Sequence, residues 1–171
     1  MSCITYTFPH KTVFGSGTAR NLIHEIPAGI RLLTVAGKTI SGTPSAGKLL
    51  EELAPFTAAV YTGVPAEPPL NCVDELISLG RRHGVGGVVA IGGGSVMDAA
   101  KAAYLSWQTG VDIDELFGAN IASTRFAGME LRRISAIPTT AGTGSEVTPY
   151  SNIIDSGTGV KKLIALSLIH I

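Results

Sequence analysis

The chain has 171 residues, with 13 lysines and arginines balanced by 13 aspartates and glutamates, and it is rich in glycine, with 21. That length suits one domain able to bury about 70% of its unfolded-chain surface, and the charge balance offers no basic face to nucleic acid or to an anionic membrane. Cys3 and Cys72 lack CxxC spacing, no signal-peptide pattern is present, and the apolar tail Leu163 to Ile171 is shorter than the roughly 20 residues that span a bilayer, so a cytoplasmic protein with no nucleic-acid or membrane partner is expected.

Residues 4 to 14 read as two short strands broken by Pro9, a small N-terminal β-hairpin. Gly15-Ser16-Gly17-Thr18 then turns into a helix whose apolar stripe is Ala19, Leu22, Ile23 and Ile26, stopped by Pro27. Arg31 to Ala36 is the next strand. Thr43 and Pro44 supply an N-cap and a first-turn proline for a helix lined by Ala46, Leu49, Leu50 and Leu53. Ala58 to Thr62 reads as a strand, and Leu70 to His83 as a helix with Val73, Leu76 and Ile77 inward.

Val88 to Ile91 is an apolar run suited to a strand covered on both faces, and Gly92, Gly93 and Gly94 follow it directly. Glycines there let a phosphate reach the backbone, and the N–H groups and positive dipole end of the next helix point at the arriving anion. The same glycines also suit a tight connection with no ligand. That helix carries a stripe of Val96, Ala99, Ala100, Ala103, Tyr104 and Trp107, with Ser95 and Asp98 at capping-box spacing. Asp112 to Phe117 reads as a short helical turn, and Arg132 to Ile137 as a strand ended by Pro138. Strands alternating with helices predict an α/β fold, a parallel sheet flanked by helices with ligands at the carboxyl ends of its strands.

A second loop, Pro138-Thr139-Thr140-Ala141-Gly142-Thr143-Gly144-Ser145-Glu146, is dense in hydroxyls and small residues and suits a polar ligand well, with a Ser/Thr/Gly surface loop as the lesser alternative. Neither loop carries the Gly-Lys-Ser/Thr ending needed to hold β- and γ-phosphates, which argues against triphosphate hydrolysis, and the first does not spell G-x-G-x-x-G, so the standard Rossmann fingerprint is not met.

Taken with Thr12-Val13-Phe14-Gly15-Ser16-Gly17, the stretches 92–101 and 138–148 make the chain resemble the iron-containing, group III alcohol dehydrogenases over roughly residues 5 to 165. The resemblance implies a Rossmann-like dinucleotide-binding domain over 1–165. It also implies a reaction, hydride transfer between NAD(P) and a small-molecule alcohol or aldehyde. By position it implies Gly93, Gly94 and Ser95 at the pyrophosphate and Asp98 near the nicotinamide ribose. Thr139, Thr140, Thr143 and Ser145 would line the nucleotide, and Lys161 would reach a ribose hydroxyl, with Lys162 its rival. Many relatives carry Asp after the strand that ends near Ala36, where this chain has Gly37-Lys38, so a lean toward NADP over NAD is expected.

In that family an all-helical domain holds Fe2+ or another divalent metal through one aspartate and three histidines. His10, His24, His83 and His170 are scattered and do not form that set, so the metal is expected only in a full-length protein and the helical domain is expected to be absent here. Residues 166–171 depart from the family pattern and are read as a non-native tail. The chain is thus expected to be a cofactor-binding fragment, inactive alone and prone to form homo-oligomers through exposed apolar surface. Two other readings stay open: an enzyme resembling maleylacetate reductase, without metal, and a non-catalytic nucleotide-binding module.

Overall fold

The computed structural model describes residues 11–165 except 120, 128, 130 and 133. Two apolar runs form its centre: β1 (Leu32–Gly37) and β3 (Gly87–Gly92), which are buried almost throughout. They pair in parallel, Leu32 with Gly87 through to Ala36 with Ile91. β2 (Thr57–Val64) flanks β1 and β4 (Ser135–Pro138) flanks β3, both also parallel, giving the order β2-β1-β3-β4.

Alternation along the two central strands divides the core. Leu33, Val35, Val88 and Ala90 face α3 (Leu70–Arg82) and α4 (Gly94–Thr109), whereas Leu32, Ala36, Val89 and Ile91 face α2 (Pro44–Leu53) and the 3-10 segment Thr18–His24. The sheet is therefore covered on both sides. The one hydroxyl inside the strand pair, on Thr34, is satisfied by Thr57 Oγ1 at 2.9 Å, which in turn donates to the Leu53 carbonyl.

Helix boundaries follow the sequence signals closely. Thr43 caps α2, its hydroxyl accepting from the Ala46 N–H at 3.4 Å, and Pro44 opens the first turn. Val73, Leu76 and Ile77 are buried on α3, and Asp112 caps a 3-10 turn at Ile113–Leu116. α4 ends at Gly110 in the left-handed conformation, φ 71°. Two short helices, α1 (Lys38–Ser41) and α5 (Ile121–Arg125), and a 3-10 turn at Ala54–Phe56 complete the helical inventory of the described residues.

The structure corrects four expectations. The helix expected after Gly17 is a 3-10 segment, although Ala19, Leu22, Ile23 and Ile26 still pack onto the sheet. Residues 11–14 form no strand: Phe14 is almost wholly exposed, and Lys11 instead pairs with Glu25 at 2.5 Å; residues 4–10 lie outside the described residues. The single apolar stripe on α4 is in fact a helix buried all round from Val96 to Ser106. Finally, residues 150–165, to which the sequence reading assigns no strand, form an antiparallel hairpin of β5 (Tyr150–Ile154) and β6 (Lys161–Ala165). This hairpin lies against α4, with Ser151 and Ile153 fully buried.

Candidate functional site

The strand order places β1 and β3 side by side with their following connections leading to opposite sides. Such a switch point opens a crevice beyond the carboxyl ends of the strands. Ala36 pairs with Ile91 and Gly92 with Pro138, so Gly37, the glycine turn and the start of the second loop share one sheet edge.

Each glycine of the turn has its own reason. A Cβ on Gly92 would lie 2.5 Å from Val96 Cγ2, so this glycine is required by packing whatever binds nearby. A Cβ on Gly93 would meet Thr140 Oγ1 at 2.9 Å, and one on Gly94 would meet Ser145 Oγ at 3.1 Å and Thr143 at 3.2 Å. The hydroxyl loop thus closes over a bare backbone. Its first residue is tied down by a bond from the Thr139 N–H to the Gly92 carbonyl, 2.9 Å. Gly142 and Gly144 carry the loop through positive φ, 93° and 65°.

The capping box is not formed. Gly93 is the N-cap of α4 with no side-chain cap, so among the described residues the N–H groups of Gly94 and Ser95 have no protein acceptor. Ser95 Oγ is turned away from them and accepts instead from the Glu67 N–H at 3.1 Å. Asp98, expected to cap, is buried on the second turn and holds the hairpin: its Oδ2 accepts from the Asn152 N–H at 3.0 Å, and its carbonyl from Ser151 Oγ at 2.6 Å.

Lys161 reaches the turn indirectly. Its ammonium pairs with Glu67 at 2.7 Å, and that hydrogen bond holds the Glu67 carboxyl below its ordinary range. Ser95, Glu67 and Lys161 therefore form one chain across the site. Alternation along β6 turns Lys162 elsewhere, onto Asp155 at 2.6 Å and the ring of Phe117 at 5.0 Å, so of the two lysines only Lys161 faces the turn. Lys38 is exposed at the start of α1, just beyond β1.

Two participants were not singled out by the sequence reading. Glu67 sits in Pro65-Ala66-Glu67-Pro68-Pro69, which carries no chemical signal beyond a turn. Lys101 did give a signal, a lone cation three residues after Asp98 in an otherwise alanine-rich helix. It is fully buried, donating to the carbonyls of Ser145 at 2.9 Å, Thr148 at 3.2 Å and Tyr150, with Asp98 Oδ1 3.3 Å away. Burial pushes its ammonium below the ordinary lysine range, while Asp98 and Glu146 oppose that shift.

The described residues do not fit a metal ion. Among them no group of three His, Cys, Asp or Glu side chains could hold one; His24 and His83 stand on separate elements, and His10 and His170 lie outside the described residues. Nor is any described helix long and apolar enough to cross a membrane.

A four-stranded parallel sheet flanked by helices, with a glycine turn and a hydroxyl loop at its switch point, is the architecture of a nucleotide-binding α/β domain. The family model of the iron-containing alcohol dehydrogenases matches residues 9–169, and the chain belongs to that family. It is 35% identical over 167 residues to a phosphonoacetaldehyde reductase of Streptomyces viridochromogenes, covering 89% of this chain and 40% of that protein. It is 34% identical over 171 residues to a probable alcohol dehydrogenase of Salmonella typhimurium, covering 94% and 40%. The crystal structure of a sulfoacetaldehyde reductase from Bifidobacterium kashiwanohense in complex with NAD+ superposes with a TM-score of 0.81 at 30% identity, covering 96% of this chain and 43% of that one. The chain thus spans about 40% of the length of these curated relatives.

Proposed function

We propose that the chain is the dinucleotide-binding part of an NAD(P)-dependent oxidoreductase that interconverts a small alcohol and its aldehyde. The observation that carries this reading is the pair of unpartnered N–H groups at Gly94 and Ser95, roofed by the hydroxyl loop at the switch point of the sheet. The NAD complex of the Bifidobacterium relative supports the class of cofactor.

In this reading the pyrophosphate lies against Gly93 and Gly94, whose missing side chains allow it to approach the N–H groups and the dipole of α4. Thr139, Thr140, Thr143 and Ser145 offer neutral hydroxyl donors along the nucleotide. Asp98 serves at one remove, fixing the hairpin beside the nicotinamide ribose end. Lys161 takes a ribose hydroxyl once Glu67 releases it. Bound there, a nicotinamide dinucleotide would supply hydride transfer, and the residues of the glycine turn and hydroxyl loop would hold and orient it. Among the described residues no group of three side chains could hold the family's metal.

Lys38 bears on cofactor choice. With Gly37 and Lys38 where an acidic residue would repel a 2′-phosphate, NADPH is expected to bind more tightly than NADH. Fluorescence titration of the 171-residue chain with both reduced cofactors tests the two levels separately. Saturable binding of either supports the dinucleotide site, and no binding of either refutes it; NADH binding as tightly as NADPH refutes the preference alone. Alcohol oxidation by the same preparation is expected to be negligible.

A further inference from the structure

The hydroxyl loop has two footings and little between them. The first is the bond from Thr139 to the Gly92 carbonyl. Beyond it, Thr140, Thr143 and both glycines of positive φ follow, and the bonds they make stay within the loop, Ser145 N–H to Thr143 Oγ1 at 3.3 Å and Val147 N–H to the Gly144 carbonyl at 3.0 Å. The second footing is Lys101. An ammonium has three N–H donors, and the carbonyls of Ser145, Thr148 and Tyr150 take all three. That leaves Asp98 Oδ1 as a charge contact at 3.3 Å without a hydrogen bond of its own.

A fully buried cation is an expensive way to end a loop if packing is all that is needed. An apolar residue of similar volume would avoid the desolvation of the charge. What the ammonium adds is direction: it draws three carbonyls from the loop's exit to one point on α4, two turns after the N–H groups that face the crevice. The distance between roof and floor of the site is thereby set by one rigid helix.

We propose that Lys101 is the positioning residue of the dinucleotide site, holding the hydroxyl loop over the glycine turn through the carbonyls of Ser145, Thr148 and Tyr150. This rests on the function proposed above. Lys101 does not touch the cofactor. Losing it frees the loop end that carries Thr143 and Ser145 while leaving the β1 side, where the adenosine half would sit, as it was.

The test is a titration of the 171-residue chain and its Lys101→Met variant with NADH and, separately, with AMP, at a temperature where circular dichroism shows both folded. Lys101→Met keeps the length of the stem and removes the charge. The expected result is about tenfold weaker NADH binding, the size of one or two lost hydrogen bonds to the ligand, with AMP binding unchanged. Wild-type affinity for NADH in the variant overturns the proposal, as does an equal loss for NADH and AMP, which marks a general structural role. Should Lys101→Met not fold, Lys101→Gln, which retains two N–H donors, is read in the same way, and failure of both to fold also overturns it. Absence of NADH binding by the unmodified chain is a different outcome, refuting the dinucleotide site itself and this inference with it.

Discussion

Glu67 is the one described non-glycine residue with positive φ, 51°, and it links the two candidate ligands Ser95 and Lys161. A left-handed backbone costs a side-chain-bearing residue about 1–2 kcal/mol. Its ion pair is more than half exposed on both sides and returns little of that. Two substitutions separate the contributions. Glu67→Gly relieves the backbone and is expected to raise the melting temperature by a few degrees, a gain of about 0.5–1 kcal/mol after the greater freedom of glycine in the unfolded chain is subtracted. Glu67→Gln keeps the strain but removes the charge, so thermal stability stays within about 0.5 kcal/mol while NADH binds more tightly, because Lys161 is released and one anion leaves the phosphate's surroundings. Unchanged or weaker NADH binding by Glu67→Gln in the same titration would show that Lys161 plays no part in the site.

Between elements, α3 and α4 pack tightly at Gly80. A Cβ on Gly80 would lie 2.4 Å from the ring of Trp107, whose edge-to-face contact with Tyr104 at 5.4 Å fixes its place. Alanine is the better helix former by about 1 kcal/mol, but inserting a methyl into a filled interface costs about 1–3 kcal/mol, and the second effect wins here because the obstacle is a ring already seated against Tyr104. Gly80→Ala should therefore lower the urea midpoint. In the β5–β6 hairpin the turn is held by Asp155, which accepts from the Gly157 N–H at 2.8 Å and pairs with Lys162; these bonds, Lys162 first, bring its carboxyl from 3.8 down to about 2. A carboxyl lowered on folding stabilises at pH above its unfolded value, and the contribution fades as pH falls from about 4 toward 2. The melting-temperature gap between the wild type and Asp155→Asn is thus expected to be open at pH 6 and closed near pH 2.

The same elements show what could be read without coordinates. Val88 to Ile91, Thr43-Pro44 and Leu70 to Arg82 carry periodic and capping signals that depend only on near neighbours, and the structure follows them. The hairpin had a local signal too, Asn152-Ile153-Ile154 leading into Asp155-Ser156-Gly157, but no helix lies between its strands to continue the alternation that organised the rest. Ser95 and Asp98 misled for another reason. Their spacing fits a capping box, yet Ser95 is claimed by Glu67, 28 residues away, and Asp98 by Asn152, 54 residues away. Partners so distant in sequence leave no trace in local spacing.

For the molecule as a whole, family membership and a coverage of about 40% of the curated relatives' length make the dinucleotide, not turnover, the proper probe of this chain. A ligand that binds only the folded state adds stability by mass action, about 2.7 kcal/mol at a hundredfold excess over Kd. For a chain of this size that corresponds to a rise of roughly 5–10 °C in melting temperature, which a thermal shift assay with NADPH would read. No shift at concentrations that saturate the fluorescence signal would mean that the signal does not report binding to the native fold.

One further consequence belongs to α4. From Val96 to Ser106 it presents no face to water, with the sheet, α3 and the β5–β6 hairpin around it. A helix enclosed in this way cannot tilt or slide without dismantling its surroundings, so its backbone amides should be among the last to exchange with deuterium. The floor of the crevice is then a fixed datum. Among the described residues, whatever rearrangement accompanies the arrival and departure of a ligand falls to the segments above it that α4 does not hold, 65–69 and 139–144.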